Sequence, residues 1–184
     1  MDVTPHASVD GFFHEVVTDA LQAVHLDATE TTEWYLVSLL GDFAQARITD
    51  EPLVVKLVGS QSAEPAERFR RLKEVGDTSL YVSGFFAESL GRKLVDVDYY
   101  VGLGSRAYAE LAGRMSGSLT EVYAELSQKF PAFVEVITEV RRRCDFAGAD
   151  IVRLYEQWVQ TRDAWIERKL KALGVLVEPV GTLQ

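Results

Sequence analysis

The tightest chemical motif in this 184-residue chain is Gly102-Leu103-Gly104-Ser105-Arg106-Ala107. It fits the G-x-G-x-x-A form of the dinucleotide fingerprint, in which glycines permit a tight turn and a helix N-terminus receives a pyrophosphate. On that hypothesis residues 94–101, where apolar side chains alternate with Asp96 and Asp98, read as a strand. The fingerprint also requires a second parallel strand, ending in an acidic residue that holds the ribose. Leu119 to Gln128 has helical periodicity instead, so the necessary context is missing and nucleotide binding is not expected. Gly102 and Gly104 are read as small residues that let two helices approach closely.

Metal chemistry is equally poorly served. The histidines are His6, His14 and His25, and the last two, eleven residues apart, share a helix face about three turns apart, too far to hold one ion. With a single cysteine, Cys144, and no glutamate–histidine pair at ligand spacing, neither a metal nor another cofactor is expected. Asp77, Asp96 and Asp98 lie near glycines and tyrosines, as an acid/base site would. Each also has a capping role: Asp77 follows Gly76, a helix stop, and Asp96 and Asp98 precede a helical run. No nucleophile or base partner follows from spacing, so no catalytic residue is assigned.

Two basic clusters remain. Arg68, Arg70, Arg71 and Lys73 lie on the polar face of a helix, where a solvated face is the ordinary outcome; Arg68 and Arg71 are the candidates for contacting an acidic group. Arg141 to Arg143 are expected in a last turn, where cations favour the helix dipole. Aromatic pairs recur at Phe12-Phe13, Trp34-Tyr35, Phe85-Phe86 and Tyr99-Tyr100, with Trp158 and Trp165 late in the chain. Adjacent aromatics cannot share one narrow stripe, so one of each pair must face a flank, a second layer or a partner. Phe86, Tyr99, Tyr100 and Trp158 are thus candidate interface or ligand-lining residues.

The elements that must carry these residues are helices. Asp10 is placed to cap a first helix over 11–26, and a second follows Thr29, with Glu30 and Glu33 near its positive end. Residues 53–58 are ambiguous between strand and helix; spacing at 53, 54, 57 and 58, with Asp50 as cap and Pro52 in the first turn, favours a short helix. A loop over Ser60 to Pro65 precedes helices over 66–75 and 78–90, separated at Gly76-Asp77. Further helices are expected after Asp98, over Leu119 to Gln128, over Ala132 to Arg143 behind Pro131, and, longest, over Ala149 to Leu173 before Gly174. Residues 175–184, with Pro179 and Gly181, are expected to form an irregular tail. The expected class is therefore all-α, a compact single-domain bundle of about seven or eight helices with a long C-terminal helix.

Composition limits the function classes. Hydrophobic residues make up 47% of the chain, enough for a core rather than a disordered segment. The lone cysteine suits a reducing compartment, and the cytoplasm is expected. The N-terminus has neither the basic region nor the apolar run of a secretory signal. The longest apolar runs fall well short of the roughly 20 residues a bilayer requires, so no membrane association is expected. Residues 1–64 hold 11 acidic and 2 basic residues, net −9, whereas the remainder is balanced. This sign repels phosphate backbones, which argues against nucleic acid and in favour of a basic partner surface.

The expected function is a non-catalytic helical interaction or regulatory module that binds a protein partner or self-associates through an aromatic face. The alternative is a small-molecule site between helices lined by Phe86, Tyr99, Tyr100 and Trp158, with an arginine for an acidic group. The stretch Arg68 to Arg114 stands out for its glycines, tyrosines and capping aspartates, a pattern that fits either a functional region or packing alone.

Overall fold

A computed structural model of the chain describes residues 9–45, 53–87, 97–162, 164, 166 and 167. Among them the architecture is all-helical and without strands: α1 (Val9–Val24), α2 (Glu30–Gln45), α3 (Leu53–Ser60), α4 (Pro65–Phe85), α5 (Val97–Arg114), α6 (Ser118–Gln128) and α7 (Phe130–Thr161). No described helix is long and apolar enough to cross a membrane. The proposed caps Asp50 and Asp96, and the tail 175–184, lie outside the described residues, as does the end of the helix expected over Ala149–Leu173.

The first two helices owe their joint to local chemistry. Val17, Ala20 and Leu21 form the buried stripe of α1, at the three- and four-residue spacing of one helix face. The helix closes in a Schellman arrangement, with the Leu26 amide donating to the Leu21 carbonyl at 3.0 Å and the His25 amide to that of Gln22 at 3.1 Å. His25 takes the left-handed conformation (φ 57°) usually given to glycine, so its position is explained by the turn. Thr29 then caps α2, its hydroxyl accepting the Thr32 amide at 3.2 Å. The same threonine donates to Glu125 of α6, while Lys129 reaches the Asp27 carbonyl at 2.9 Å, fastening the turn to a distant helix.

The centre of the bundle is α4, which lies against α2, α3, α5 and α7. Its expected break at Gly76-Asp77 does not occur: the helix is continuous for 21 residues. The reason is tertiary, because a β-carbon on Gly76 would fall within contact of the Tyr108 ring of α5. That glycine makes room for a neighbour rather than stopping a helix. Gly84 does the same for Ile137 of α7, and Gly104 of α5 for Phe130. Residues 97–101 are helical, so the strand required by the dinucleotide fingerprint is absent there; Gly104 has the expected helix-approach role, whereas a β-carbon placed on Gly102 meets nothing within 4 Å beyond the backbone of its own helix.

A second expected break, after Arg143, is also absent, since α7 runs on to Thr161. Arg141 is therefore mid-helix, and it serves another helix end: its guanidinium donates to the Phe85 carbonyl of α4, beside a 3.0 Å bond from the Thr138 hydroxyl to Gly84. These contacts satisfy carbonyls that a helix terminus leaves unpaired. Arg142 and Arg143 pair with Glu139. The core joins these elements through Leu36, Leu72, Leu80, Leu111, Leu126 and Ile137, each fully buried and each contributing about 1.5–3 kcal/mol of apolar burial.

Candidate functional site

The continuity of α4 creates a polar centre that spacing alone does not reveal. Lys73 and Asp77 are four residues apart on one helix, and their side chains meet at 2.6 Å (Nζ to Oδ2). The other carboxylate oxygen accepts the Tyr35 hydroxyl of α2 at 2.6 Å and the Tyr108 hydroxyl of α5 at 2.8 Å. Tyr123 of α6 stacks on Tyr108 with ring centroids 5.7 Å apart and meets Tyr35 edge-on at 5.6 Å. The Lys73 ammonium also sits 5.4 Å from the Tyr35 ring centre. Three helices thus meet on one carboxylate, and Tyr123 of α6 packs on the tyrosines around it.

Asp77 is buried, as are Tyr108 and Tyr123. Burial pushes the Tyr108 phenol well above its ordinary range, and the adjacent Asp77 charge pushes the same way; Tyr35 is raised by burial and by its neighbours Tyr108 and Asp77. Both phenols therefore remain protonated donors. Burial alone would lower the Lys73 ammonium, but the Asp77 carboxylate more than offsets it and holds the pKa above the ordinary value. The result is a buried carboxylate that accepts three hydrogen bonds from its own chain and so ties α2, α4 and α5 together.

An alkaline titration tests this state. Because the folded pKa values of Tyr35 and Tyr108 lie above the ordinary 10.0, their contribution is complete below pH 10 and is lost as pH rises above it. Two withheld ionisations give a slope of about 2.7 kcal/mol per pH unit in that region. Tyrosinate absorbance followed with circular dichroism should show Tyr35 and Tyr108 ionising only as helix is lost, with Tyr81 and Tyr123 also held above the ordinary range by burial. Seven tyrosines titrating near pH 10 with the helices intact would refute it.

The residues singled out by sequence are dispersed. Arg68 donates to the carbonyls of Ser60 and Gln61 at 2.8 and 2.7 Å, closing the end of α3. Arg71 pairs with Glu67 at 2.8 Å, as does Arg70. Phe86 and Tyr99 are partly exposed; the former meets Tyr81 edge-on at 6.1 Å, and the latter meets Tyr100 at 5.3 Å. Trp158 is buried, with the Arg162 guanidinium 4.3 Å above its ring. Asp98 is exposed in the first turn of α5, and His14 stacks on Trp34. Among the described residues no group of three or more His, Cys, Asp or Glu is placed to hold a metal ion.

The chain matches no protein-family profile, no curated protein and no solved structure.

Two of the four aromatic pairs divide as the crowding argument requires. Tyr35 points in to Asp77 while Trp34 is 45% exposed; Phe85 packs against the core while Phe86 faces out. The tyrosine–aspartate centre itself was missed. The signal that could have found it is the four-residue step from Lys73 to Asp77, hidden once Gly76 is read as a stop.

Proposed function

We propose that this protein is a non-catalytic helical interaction module whose ligand is another protein surface. The observation that carries the reading is a surplus of apolar side chains on outer faces. On α3, Val55 and Val58 are 51% and 66% exposed one turn apart, while Leu57 supplies the buried side of the same helix. On α2, Trp34 faces out although Leu36, Val37, Leu39 and Leu40 already supply its core face. A helix with its inner stripe complete gains no folding stability from further apolar residues outside, whereas a partner covering them removes that surface from water. Aromatic anchors of this kind dominate protein interfaces. The buried Asp77 centre supports the same reading, because its groups are engaged with one another rather than directed toward a substrate.

The test is photo-crosslinking from positions 55 and 58 of the full chain in its native cells, with solution mass measured by light scattering. Crosslinks to an identified protein or to a second copy are expected, with none from the exposed polar position Glu135. A strict monomer that forms no crosslinks and carries a small molecule in native mass spectrometry would overturn the reading in favour of a ligand-binding bundle.

A further inference from the structure

The outer face of the α1–α2 hairpin combines two features. Residues 9–45 contain the carboxylates Asp10, Glu15, Asp19, Asp27, Glu30, Glu33 and Asp42 and no lysine or arginine. The hairpin is antiparallel, with Asp10 beside Gly41, His14 on Trp34 and Thr18 bonded to Glu33, so both helices contribute acidic side chains to one region. Along α2, Glu30, Trp34, Ser38 and Asp42 recur every four residues and all are exposed. An indole nearly half open to solvent therefore stands between two carboxylates of its own helix. His14 stacks against it at 4.3 Å, which holds the ring in a defined orientation.

Resting on the interaction reading above, we infer that this face docks a lysine- and arginine-rich segment of the partner protein, one cation lying over the Trp34 indole and its neighbours pairing with Glu30, Asp42 and Asp10. Charge complementarity selects this occupant. An anionic membrane or a nucleic acid would be repelled, and an apolar partner would have to strip water from several carboxylates without returning a charge. Cations already nearby leave most of the field in place: Arg143 reaches Asp19 at 3.5 Å, and Lys73, committed to Asp77, senses Asp42. Tryptophan is the strongest aromatic receptor for a cation, and an exposed one flanked by carboxylates adds selectivity to an attraction that charge alone would leave diffuse. The row from Glu30 to Asp42 is roughly 18 Å long, matched by about six residues of extended chain.

The probe is a fluorescein-labelled peptide of about twelve residues alternating lysine and alanine, long enough to span the row in extended form. Its binding to the full chain is followed by anisotropy at several salt concentrations. Trp34→Ala should weaken binding roughly tenfold, and Glu30→Gln with Asp42→Asn by a similar factor. Glu64→Gln with Glu135→Gln makes the same change of charge at exposed positions outside the hairpin and should leave affinity unchanged. Circular dichroism establishes that each variant is folded. In parallel, a photo-crosslinker at position 38 in native cells should capture a partner peptide rich in lysine and arginine.

If Trp34→Ala has no effect, or if the remote pair weakens binding equally, the attraction is diffuse and the assignment fails. Capture at position 38 of a neutral or apolar peptide, or of a second copy, overturns the basic partner while leaving the interaction module standing. No capture at 38, 55 or 58 overturns both.

Discussion

Asp77→Ala should lower the unfolding free energy by about 3–5 kcal/mol, read from the midpoint and slope of urea unfolding. The cost comes from what is left behind. Tyr108 is wholly buried and its hydroxyl loses its acceptor; Tyr35 loses the same oxygen; each orphaned phenol costs about 1–3 kcal/mol. Lys73 contributes less, because its side chain is 36% exposed and can turn to water. Asp77→Asn retains the shape and one acceptor oxygen, so it should lose about half as much. Tyr35→Phe and Tyr108→Phe combined should cost more than the sum of the two single changes, since both hydroxyls share one oxygen and in each single variant the remaining bond relieves the loss of the other. An alanine variant within about 1 kcal/mol of the parent would mean that the centre contributes little cohesion and that Asp77 has been kept for another task.

The second large effect distinguishes two glycines in one helix. Alanine is favoured over glycine in a helix interior by about 0.8–1 kcal/mol, so Gly102→Ala, whose new carbon meets nothing beyond the backbone of its own helix within 4 Å, should stabilise the protein by about that amount. Gly104→Ala should instead destabilise it by about 2–3 kcal/mol, because the methyl group meets the Phe130 ring and, at 2.8 Å, the Ser79 β-carbon of α4. Neither obstacle moves easily: Phe130 and Ser79 are both fully buried. Thermal unfolding of the two variants should shift in opposite directions. Stabilisation by both would show that α4 and α5 do not cross as closely as the geometry of Gly104 requires.

The helical class was legible because burial follows helical periodicity almost throughout. Val17, Ala20 and Leu21 illustrate it on α1, as do Val122, Tyr123 and Leu126 on α6. Even the ambiguous run 53–58 is helical, with Leu57 inside and Val58 outside. The breaks at Gly76 and after Arg143 were misread for a common physical reason. Glycine and terminal cations are local helix-end signals, but close approach by Tyr108 and a clasp on the Phe85 carbonyl are long-range uses of the same residues. The tyrosine centre was hidden by the same limit, since 42 positions separate Tyr35 from Asp77 and 31 separate Asp77 from Tyr108. Trp34, by contrast, was recognisable as half of a crowded pair, although only the fold reveals which half turns outward.

The packing of α1 against α7 has a consequence during biosynthesis. When α1 leaves the ribosome, α2 can join it at once, yet Arg143, which reaches Asp19 in the finished bundle, lies roughly 120 residues further along. At about 5–20 residues per second, the nascent hairpin waits on the order of 6–24 s for its second neighbour. During that interval the surface of α1 that α7 will cover stays open to chaperones and to other emerging chains. The order of translation thus leaves one face of the N-terminal hairpin open to its cellular surroundings until α7 arrives.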